Sequence, residues 1–563
     1  MKILALGGSA HSYSACVMKD GRIVSAVEEE RLNGRRHSYF PDGGMELARC
    51  RAAAYCLKEA GLTASGVDRI VTDDLNNPLY YAKYVSSIRY TTHHFAHACS
   101  AFYTSPFEEA AVLVADGIGS ADEATGEYET VTSFRADSKG LEALDGIRGS
   151  FIDPVTGARH ELSDPLALYN SLGGMYKWVT LGLGFAFLED GKTEALSACG
   201  TDRWVEPFGS FYRLDGEGRF SQSKAEIAAM RAFIADKLRE EGDAFRAKAD
   251  IARAAQEHLQ RIVAAICLRL HRRTGSRRLC LAGGVAFNRR LIAFLEANTP
   301  FRHIYVFPAA GDTGNAVGSA LAEYLHPAGT CGPPDRRRHA TLRIKKGNAE
   351  SIPFDPCLGR LYSPADIDEA AAKLDGGRLE QVPAADHERT VADLLAAGRL
   401  VGRFQGRSPL GPGPNGSRCI LADPRSRDVR TRLDASKRRP AFLPYGAAVQ
   451  GDKLGHYARK GGPAPYMEKV HILTERAAEA LPAVTHADGS CALLTVERSL
   501  QPGLYRLLGE FEHTAGTGAL LLTSLNVHGR PMAETPLEAF RTALELRLDY
   551  LSIEGRLYKI RAG

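Results

Sequence analysis

The stretch TTHHFAHACSAFYTSPFEEAAVLVADGIG, Thr91–Gly119, joins a helical pattern to a strand pattern. His93 and His97 lie four residues apart, about one helical turn, so both imidazoles would project from one face of a helix. The apolar run that follows ends at Asp116, which predicts a buried strand with a carboxylate at its end. The stretch therefore predicts a helix and then a strand, with two imidazoles and one carboxylate close to each other.

The spacing of His93 and His97 is typical of metal ligands on a helix. It is not the zinc-protease pattern, because that pattern needs a Glu directly after the first His to act as the base. An isolated pair with this spacing is also common among ordinary surface or core histidines. The spacing alone leaves both interpretations open.

Patterns on both sides of this stretch predict an α/β fold. An early apolar segment, KILALGG, is followed by SACVMKDGRIVSAVEEER, whose Asp20-Gly21 pair predicts a hairpin. Residues 224–273 have a strongly helical pattern. LAGGVAFN (Leu281–Asn288) and AAGDTGNAVGSAL (Ala309–Leu321) each place glycines between a predicted strand and a predicted helix. Together they indicate a split nucleotide site of the actin/sugar-kinase type, with duplicated αβ halves.

The two glycine turns are candidate phosphate-binding elements. Such a turn lets the backbone approach a phosphate, and the helix N-terminus that follows offers unpaired N–H groups. Glycine turns of this kind also serve only to pack a helix against a strand, so each motif alone is weak. The second turn contributes the carboxylate of Asp312, and imidazole with carboxylate suits Fe(II), Mn or Zn.

Composition excludes several classes of protein. The chain has 563 residues, of which 44% are hydrophobic and 25% charged, with a net charge of +4. That balance argues against a dedicated nucleic-acid binder. No apolar run approaches the roughly 20 residues of a membrane span, so we expect no membrane partner. The 11 scattered cysteines and the absence of a signal-peptide pattern predict a reduced, cytoplasmic protein.

A change in composition marks the expected domain boundary. From His326 to about Asp355 the chain is rich in Pro, Gly and basic residues, which is typical of a linker. We therefore expect one domain over residues 1–345 and a second αβ domain over residues 355–563.

Eight motifs together resemble one family. They are GGSAHSYSA around His11, EEERLNGRRHSYFP, HHFAHACSAFYTSPFEEA, VADGIG, SLGGMYKWVT, LAGGVAFN, GDTGNAVGSAL and ILADPR. The chain resembles the carbamoyltransferases of antibiotic and nodulation-factor biosynthesis, which have a TsaD-like N-terminal domain and a YrdC-like C-terminal domain. The resemblance implies that the YrdC-like domain joins carbamoyl phosphate to ATP as carbamoyl adenylate. The TsaD-like domain would then pass the carbamoyl group to a hydroxyl or amine at an Fe(II) site.

The resemblance also implies roles for individual residues. It places the metal, Fe(II) or another divalent ion, on His93, His97, Asp116 and Asp312. It places the catalytic groups on His11, Lys192 and Asp116. It places the binding of ATP, with Mg²⁺, and of the adenylate on Gly283, Gly284, Asn288, Gly311, Arg418, Lys437, Arg438, Ser524 and Asn526. An alternative stays open for His11, as a structural residue of a hairpin, and for Lys192, as an exposed lysine.

The C-terminal half departs from the family pattern where phosphate contacts are expected. Gly413 stands where the family has Arg, and Ala492 and Leu494 stand where it has Arg and Gln. Cys419 replaces a Ser, and prolines occupy positions 409 and 440. Guanidinium groups bind phosphate through paired hydrogen bonds, so fewer of them should weaken a carbamoyl-phosphate site. The basic run from Arg425 to Arg439 can supply other contacts or form a solvated face.

Two functions therefore compete. The first is a complete ATP-dependent carbamoyltransferase acting on carbamoyl phosphate, ATP and a small natural-product acceptor. The second is a diverged member with impaired carbamoyl-adenylate synthesis, which catalyses another acyl transfer or condensation or acts as a non-catalytic partner. Self-association into a homodimer stays open.

Overall fold

A computed structural model of the chain describes residues 1–39, 50–152, 168–326, 354–374 and 376–561. The chain forms two compact units. The first contains Met1–Ala26 and Phe40–Phe354, and the second contains Val27–Tyr39 and Asp355–Gly563. Most of the predicted linker lies outside the described residues, and the domain limits stay a prediction.

The first unit is built on two five-stranded sheets and one separate two-stranded sheet. Its strands are β1 (Lys2–Gly7), β2 (Ser14–Lys19), β3 (Arg22–Glu28), β4 (Arg69–Asp73), β5 (Ile88–Thr91), β6 (Ala110–Ala115), β7 (Tyr128–Asp137), β8 (Gly140–Gly149), β9 (Arg213–Leu214), β10 (Phe220–Ser221), β11 (Arg278–Ala282) and β12 (His303–Val306). Strands β9 and β10 form the two-stranded sheet. The second unit contains one nine-stranded sheet. Its strands are β13 (Leu379–Val382), β14 (Val401–Phe404), β15 (Arg418–Ala422), β16 (Gly446–Gln450), β17 (Val470–Ile472), β18 (Ser490–Val496), β19 (Ala519–Ser524), β20 (Tyr550–Ile553) and β21 (Arg556–Ile560).

Helices cover the sheets of both units. They are α1 (Glu29–Asn33), α2 (Arg51–Glu59), α3 (Pro78–Tyr81), α4 (His93–Thr104), α5 (Leu172–Gly182), α6 (Asp190–Ser197), α7 (Val205–Phe208), α8 (Lys224–Glu240), α9 (Ala244–Thr274), α10 (Arg289–Asn298), α11 (Asn315–Leu325), α12 (Pro364–Ala372), α13 (His387–Ala396), α14 (Arg427–Lys437), α15 (Leu454–Tyr457), α16 (Glu475–Ala480), α17 (Pro502–Ala515) and α18 (Pro536–Glu545).

The two five-stranded sheets of the first unit share one topology. The strand orders are β3-β2-β1-β4-β5 and β8-β7-β6-β11-β12. In each sheet the first strand in sequence pairs antiparallel with the second and parallel with the fourth, and the fourth and fifth are also parallel. This repetition confirms the duplicated αβ halves expected from the sequence.

Local sequence explains the two long helices α8 and α9, which lie in the chain between β10 and β11. Ser223 and Glu226 form a reciprocal capping box at the start of α8. The Asp243 side chain accepts from the amides of Phe245 and Arg246 and so begins α9. Gly275, with φ of +67°, ends α9 in the left-handed conformation that glycine adopts without strain. The predicted helical region over 224–273 is therefore two capped helices.

The sheet of the second unit follows the order β13-β21-β20-β14-β15-β19-β16-β18-β17. Its apolar side chains are divided between two buried clusters, which include Phe404 and Leu521 in one and Phe511 and Leu520 in the other. Helices thus pack against an apolar sheet, as expected for a second αβ domain.

The segment Val27–Tyr39 is the N-terminal part of the second unit. Within it, Arg31 is 3% exposed and pairs with Glu28 at 2.8 Å. The pair holds the peptide groups of Gly411: Arg31 donates to its carbonyl oxygen at 2.8 Å, and Glu28 accepts from its amide at 2.6 Å. The N-terminal segment therefore supports the glycine-rich loop that contains Gly413.

None of the described helices combines the length and the apolar character needed to span a membrane.

Candidate functional site

The predicted histidine pair lies on helix α4, which begins at His93 and is buried over its whole length. The Thr92 side chain does not cap this helix. The first free amide is satisfied by tertiary contacts instead: His93 N donates to Ser120 Oγ at 2.7 Å and to Asp74 Oδ1 at 3.1 Å. A carboxylate at this end also complements the helix dipole.

The carboxyl ends of the parallel strands place the remaining groups. In the second sheet, β6 and β11 run side by side, and they end next to Asp116 and Gly283. Asp312 begins a short turn, Asp312–Gly314, after β12. Because parallel strands end at one edge of a sheet, these groups meet there. The first sheet contributes Asp73 from the end of β4.

Four side chains converge on one point. His93, His97, Asp116 and Asp312 each offer a ligand atom, and these atoms lie within 4.8 Å of one another. His97 Nε2 is 3.2 Å from His93 Nε2, 3.1 Å from Asp116 Oδ2 and 3.7 Å from Asp312 Oδ1. His93 Nε2 is 3.8 Å from Asp116 Oδ2 and 3.6 Å from Asp312 Oδ1. The imidazoles are fully buried, and the carboxylates form the more exposed side of the cluster.

Burial and charge pairing have opposite effects on the pKa values of the cluster. Burial lowers the pKa of His93, but the carboxylates of Asp73, Asp116 and Asp312 outweigh it, and the pKa is raised well above its usual value. Burial raises the pKa of Asp116, and hydrogen bonds from His93 and His97 reverse this, so that its pKa falls below the usual range. Asp116 and Asp312 thus favour the ionised form, and they face two imidazoles.

This set of donors fits a divalent cation. Two Nε2 atoms only 3.2 Å apart face ionised carboxylates, an arrangement that a shared positive ion stabilises more fully than two separate protons do. Imidazole nitrogen with carboxylate oxygen suits Fe(II), Mn or Zn. The structure therefore brings together all four residues that the sequence singles out as ligands.

His11 lies beside this cluster in the loop between β1 and β2. Its Nδ1 is 3.7 Å from Asp312 Oδ2 and 3.0 Å from Ser12 Oγ. Ser9 in the same loop donates to Asp312 Oδ2 at 2.5 Å. Burial lowers the pKa of His11, although Asp312 and Asp116 oppose this shift. The predicted catalytic His11 is thus next to the cluster.

Lys192 lies on α6 and pairs within its own turn of the chain, and its predicted catalytic role stays a prediction. Its Nζ forms an ion pair with Glu189 at 2.5 Å and lies 5.7 Å from the centre of the Phe185 ring. The lysine electrostatically coupled to His11 is Lys177 on α5, which lowers the His11 pKa. Lys177 Nζ lies 5.1 Å from the Phe187 ring, whose centre is 5.7 Å from His11.

The predicted glycine turns lie next to the cluster. Gly283 has φ of +89°, and a Cβ there would lie 2.2 Å from the carbonyl oxygen of Ala115, so only glycine fits. A Cβ on Gly284 would lie 3.1 Å from Asp116 Oδ1, which places this backbone against the candidate ligand. A Cβ on Gly311 would lie 2.7 Å from the ring of Phe287. Both the packing role and a phosphate-binding role are compatible with these positions.

Asn288 has a structural role in the described contacts. Its side chain accepts from Leu291 N at 2.8 Å and thereby caps α10. It also exchanges two hydrogen bonds, of 2.8 and 3.0 Å, with Gln256 on α9. Its predicted contact with the adenylate stays a prediction.

In the second unit, three predicted residues form one cluster. Lys437 Nζ donates to the carbonyl oxygen of Ser524 at 2.7 Å and to Asn526 Oδ1 at 2.9 Å. Ser524 Oγ donates to the same Asn526 oxygen at 2.7 Å. Lys437 is 2% exposed, and burial, aided by Arg439, lowers its pKa well below the usual value. We call these three residues the lysine cluster.

Arg418 belongs to the interior rather than to an open surface. It is fully buried, and its guanidinium donates to the carbonyl oxygens of Gln405, Gly406 and Ser417 at 2.8–3.1 Å. Its Cζ lies 3.5 Å from the centre of the Phe404 ring. These contacts explain why Arg418 is tolerated in a core, and they occupy donors that a phosphate would need.

Arg438 differs from its neighbours in the basic run. It is exposed, and it ends α14 with φ of +53°. The adjacent Arg439 donates to the carbonyl oxygens of Leu443 and Pro444. The structure therefore places Lys437 with Ser524 and Asn526, and it gives Arg418 and Arg438 separate surroundings.

Sequence reasoning did not find Asp73, whose Oδ1 lies 2.8 Å from His93 Nδ1. The only local signal was the tandem Asp73-Asp74 at the end of a predicted strand. Lys177 was also overlooked, although it lies inside the quoted motif SLGGMYKWVT.

Comparison with known families covers both halves of the chain. A family described as carbamoyltransferase N-terminus matches residues 79–321, and one described as carbamoyltransferase C-terminus matches residues 392–559.

Curated relatives agree with this result. Nodulation protein NolO of Bradyrhizobium diazoefficiens is 31% identical, over 83% of this chain and 79% of the relative. Nodulation protein NolNO of Sinorhizobium fredii is 29% identical, over 98% of this chain and 79% of the relative. Among solved structures, T. kodakarensis HypF is similar with a TM-score of 0.32 and 17% identity, over 57% of this chain and 47% of HypF.

Proposed function

The chain belongs to the carbamoyltransferase family, and we propose that it transfers a carbamoyl group to a hydroxyl or amine of a small natural-product acceptor. The carbamoyl group comes from carbamoyl phosphate: with Mg²⁺ and one water molecule, carbamoyl phosphate and ATP give carbamoyl adenylate, pyrophosphate and phosphate. The transfer takes place in the first unit and the activation in the second.

One observation carries the proposal. The four candidate ligands lie within 4.8 Å of one another in a chain that matches both halves of the family. His93, His97, Asp116 and Asp312 would hold the metal. A divalent cation bound there, Fe(II) according to the resemblance, acts as a Lewis acid and draws charge from a carbonyl oxygen.

His11 supplies the base in this proposal. In the transfer step, the acceptor oxygen or nitrogen forms a bond to the carbamoyl carbon, and the bond from that carbon to the phosphate oxygen of AMP breaks. The acceptor proton passes to Nε2 of His11, because Nδ1 faces Ser12 and Asp312 at 3.0 and 3.7 Å. AMP leaves with the electron pair of the broken bond.

The glycine turns support binding of the adenylate next to this base. Gly284 packs against Asp116, and Gly311 directly precedes Asp312, so both turns border the candidate ligands. Backbone amides in such turns hold phosphate oxygens without a side chain. Water must be kept away from the adenylate, because hydrolysis would compete with transfer.

The lysine cluster supports activation in the second unit. Lys437 is buried beside Ser524 and Asn526 and hydrogen-bonds only neutral oxygens among the described residues. An anion beside Lys437 would offset the burial that lowers its pKa and would stabilise the ammonium form, and carbamoyl phosphate and ATP are both anions.

A second candidate function is favoured by the surroundings of Arg418. Its donors are held by main-chain oxygens, and Gly413 carries no side chain where the family has Arg. In this candidate the second unit makes carbamoyl adenylate poorly, and the first unit uses a related acyl donor.

Two assays test these proposals. Pyrophosphate release from ATP that requires carbamoyl phosphate, without any acceptor, tests activation. Release at the background rate, together with nucleotide binding by the first unit, would favour the second candidate. Loss of release is not expected when the ion of the first unit is removed and Mg²⁺ is kept, because the ion proposed on His93, His97, Asp116 and Asp312 serves transfer only. Transfer is then tested by supplying carbamoyl adenylate and small hydroxyl or amine acceptors to the metal-loaded protein.

A further inference from the structure

Asp73 is the last residue of β4, and it is completely buried. Its Oδ1 lies 2.8 Å from Nδ1 of His93, which is equally buried. Nδ1 is the ring nitrogen that faces away from the other three candidate ligands, whereas Nε2 faces Asp116 and Asp312. The contact thus lies directly behind one of the candidate ligand atoms.

This contact determines the state of the imidazole. A carboxylate accepts hydrogen bonds, so Nδ1 of His93 carries the proton and donates it to Asp73. A metal ion then displaces only the proton of Nε2, and Nε2 supplies the lone pair to the ion. The amide nitrogen of Asn315 lies 3.1 Å from the same Nδ1, and its Oδ1 has no donor in the described part of the chain, so the Nδ1–H form requires the opposite orientation of this amide. Rotation of that amide by half a turn would place a second acceptor beside Nδ1–H.

The neighbouring Asp74 has a different role. Its Oδ1 accepts from Ser120 Oγ at 2.7 Å and from His93 N at 3.1 Å. Asp74 therefore holds the backbone at the start of α4, and among the described residues it forms no hydrogen bond or ion pair with the imidazole. The two neighbouring aspartates thus have different roles: Asp73 orients the His93 ring, and Asp74 holds the start of α4.

His97 lacks such support. Its Nδ1 is buried and has no hydrogen-bond partner among the described residues. The orientation of the histidine pair therefore depends on the His93 side, since the two Nε2 atoms are only 3.2 Å apart.

We propose that Asp73 is the positioning residue of the metal centre, which fixes His93 in the Nδ1–H form with Nε2 directed at the metal. This inference rests on the metal centre in the function proposed above. Carboxylates behind metal-bound histidines raise the basicity of the ligand and hold the ring, and their loss typically weakens metal binding by about 10- to 100-fold.

Titration of the metal-free full chain with Co(II) alone, followed by the visible absorption of the bound ion, tests this role. We expect Asp73→Ala to raise the Kd by about 10- to 100-fold. Asp73→Asn should show a smaller loss, because its amide oxygen still accepts from Nδ1–H. Asp74→Asn is the matched control, and its Kd should stay within about threefold of the wild type while its thermal unfolding shows the cost of a weakened helix cap.

The outcomes separate this inference from the proposed function. Wild-type protein that binds no Co(II) would overturn the metal centre and the inference together. Wild-type binding with unchanged Kd in Asp73→Ala, or an equal loss in Asp74→Asn, would overturn only the role of Asp73. If Asp73→Ala does not fold by circular dichroism, Asp73→Asn decides, since it keeps the shape of the side chain: a Kd like that of the wild type and an unchanged Co(II) spectrum would overturn the role.

Discussion

In the first unit, two imidazoles face two carboxylates. The Nε2 atoms of His93 and His97 lie 3.1–3.8 Å from the oxygens of Asp116 and Asp312, and all four ligand atoms belong to ionisable side chains. In the second unit, the guanidinium of Arg418 already donates to three carbonyl oxygens. Both regions match family motifs. Only the first arranges its charged groups around a shared point.

The difference shows that a matched residue is not yet a functional one. A side chain can bind a ligand when its donors or acceptors are directed at a common space, and it supports the fold when neighbouring main-chain groups satisfy them. By this measure the four residues of the first unit form a candidate metal site whose ligand atoms share one space. In the second unit, Lys437 with Ser524 and Asn526 is the stronger candidate for an anion site than Arg418.

The largest effect is expected when a candidate metal ligand is removed. His97→Ala and Asp312→Ala should fold but lose bound metal, and transfer from supplied carbamoyl adenylate should fall by about 10³-fold. Metal content by elemental analysis and the rate of transfer check this. His303→Ala, an exposed histidine on β12, is the control. Full metal occupancy in both ligand variants would show that these residues do not form a metal centre.

The next effect concerns stability in the second unit. Arg31→Met should leave the buried Glu28 carboxylate without its partner, at a cost of about 3–5 kcal/mol. Urea unfolding followed by circular dichroism measures this free energy. Arg36→Met, at an exposed position of the same segment, should change it by less than about 0.5 kcal/mol. Equal midpoints for the two variants would show that the Arg31 contact does not support the loop.

A smaller effect is expected for activation. Lys437→Met removes the buried ammonium and keeps most of the side-chain volume. Because a hydrogen bond to a charged group contributes roughly 1.5–3 kcal/mol, pyrophosphate release that depends on carbamoyl phosphate should fall by about 10- to 100-fold. Lys453→Met, which breaks a surface pair with Glu512, is the control. Equal rates in the two variants would assign Lys437 to the core, like Arg418.

The smallest expected effect is a gain. Gly413 has room for a side chain, since the nearest atom to a Cβ there is a carbonyl oxygen at 3.5 Å. Gly413→Arg should restore a guanidinium to the loop and increase pyrophosphate release by up to about tenfold. Gly413→Gln, of similar length but uncharged, is the matched control. If pyrophosphate release increased as much in Gly413→Gln as in Gly413→Arg, the positive charge of the guanidinium would not be the cause of the increase.

The sequence predicted what depends on local pattern. The four-residue spacing of His93 and His97 predicted their shared helix face, and alternating strands and glycine turns predicted the duplicated halves. Asp116 was predicted because it follows an apolar run, and Asp312 because it lies in a glycine turn. The family resemblance implied that these four side chains lie together. The shared edge at which the parallel strands end explains how they meet.

What the sequence could not predict depends on direction in space. Nothing local shows that Asp73 lies behind the His93 ring, because the two residues belong to different elements of the first half. Lys192 matches a motif but pairs with Glu189, whereas Lys177 is the lysine coupled to His11. The sequence likewise could not show that the Arg418 guanidinium turns inward, because residue type alone does not distinguish a buried arginine from one that binds phosphate.

The membership of Val27–Tyr39 in the second unit has a consequence for how the protein is made. Arg31 and its partner Gly411 are 380 positions apart. At roughly 5–20 residues per second, the ribosome needs about 20–80 s to synthesise the chain between them, while the first unit can already fold. The segment therefore has to stay accessible throughout that interval. A fragment that starts at Asp355 would lack this segment and leave Gly411 without its buried ion pair, so the second unit is completed by residues that are translated before most of the first.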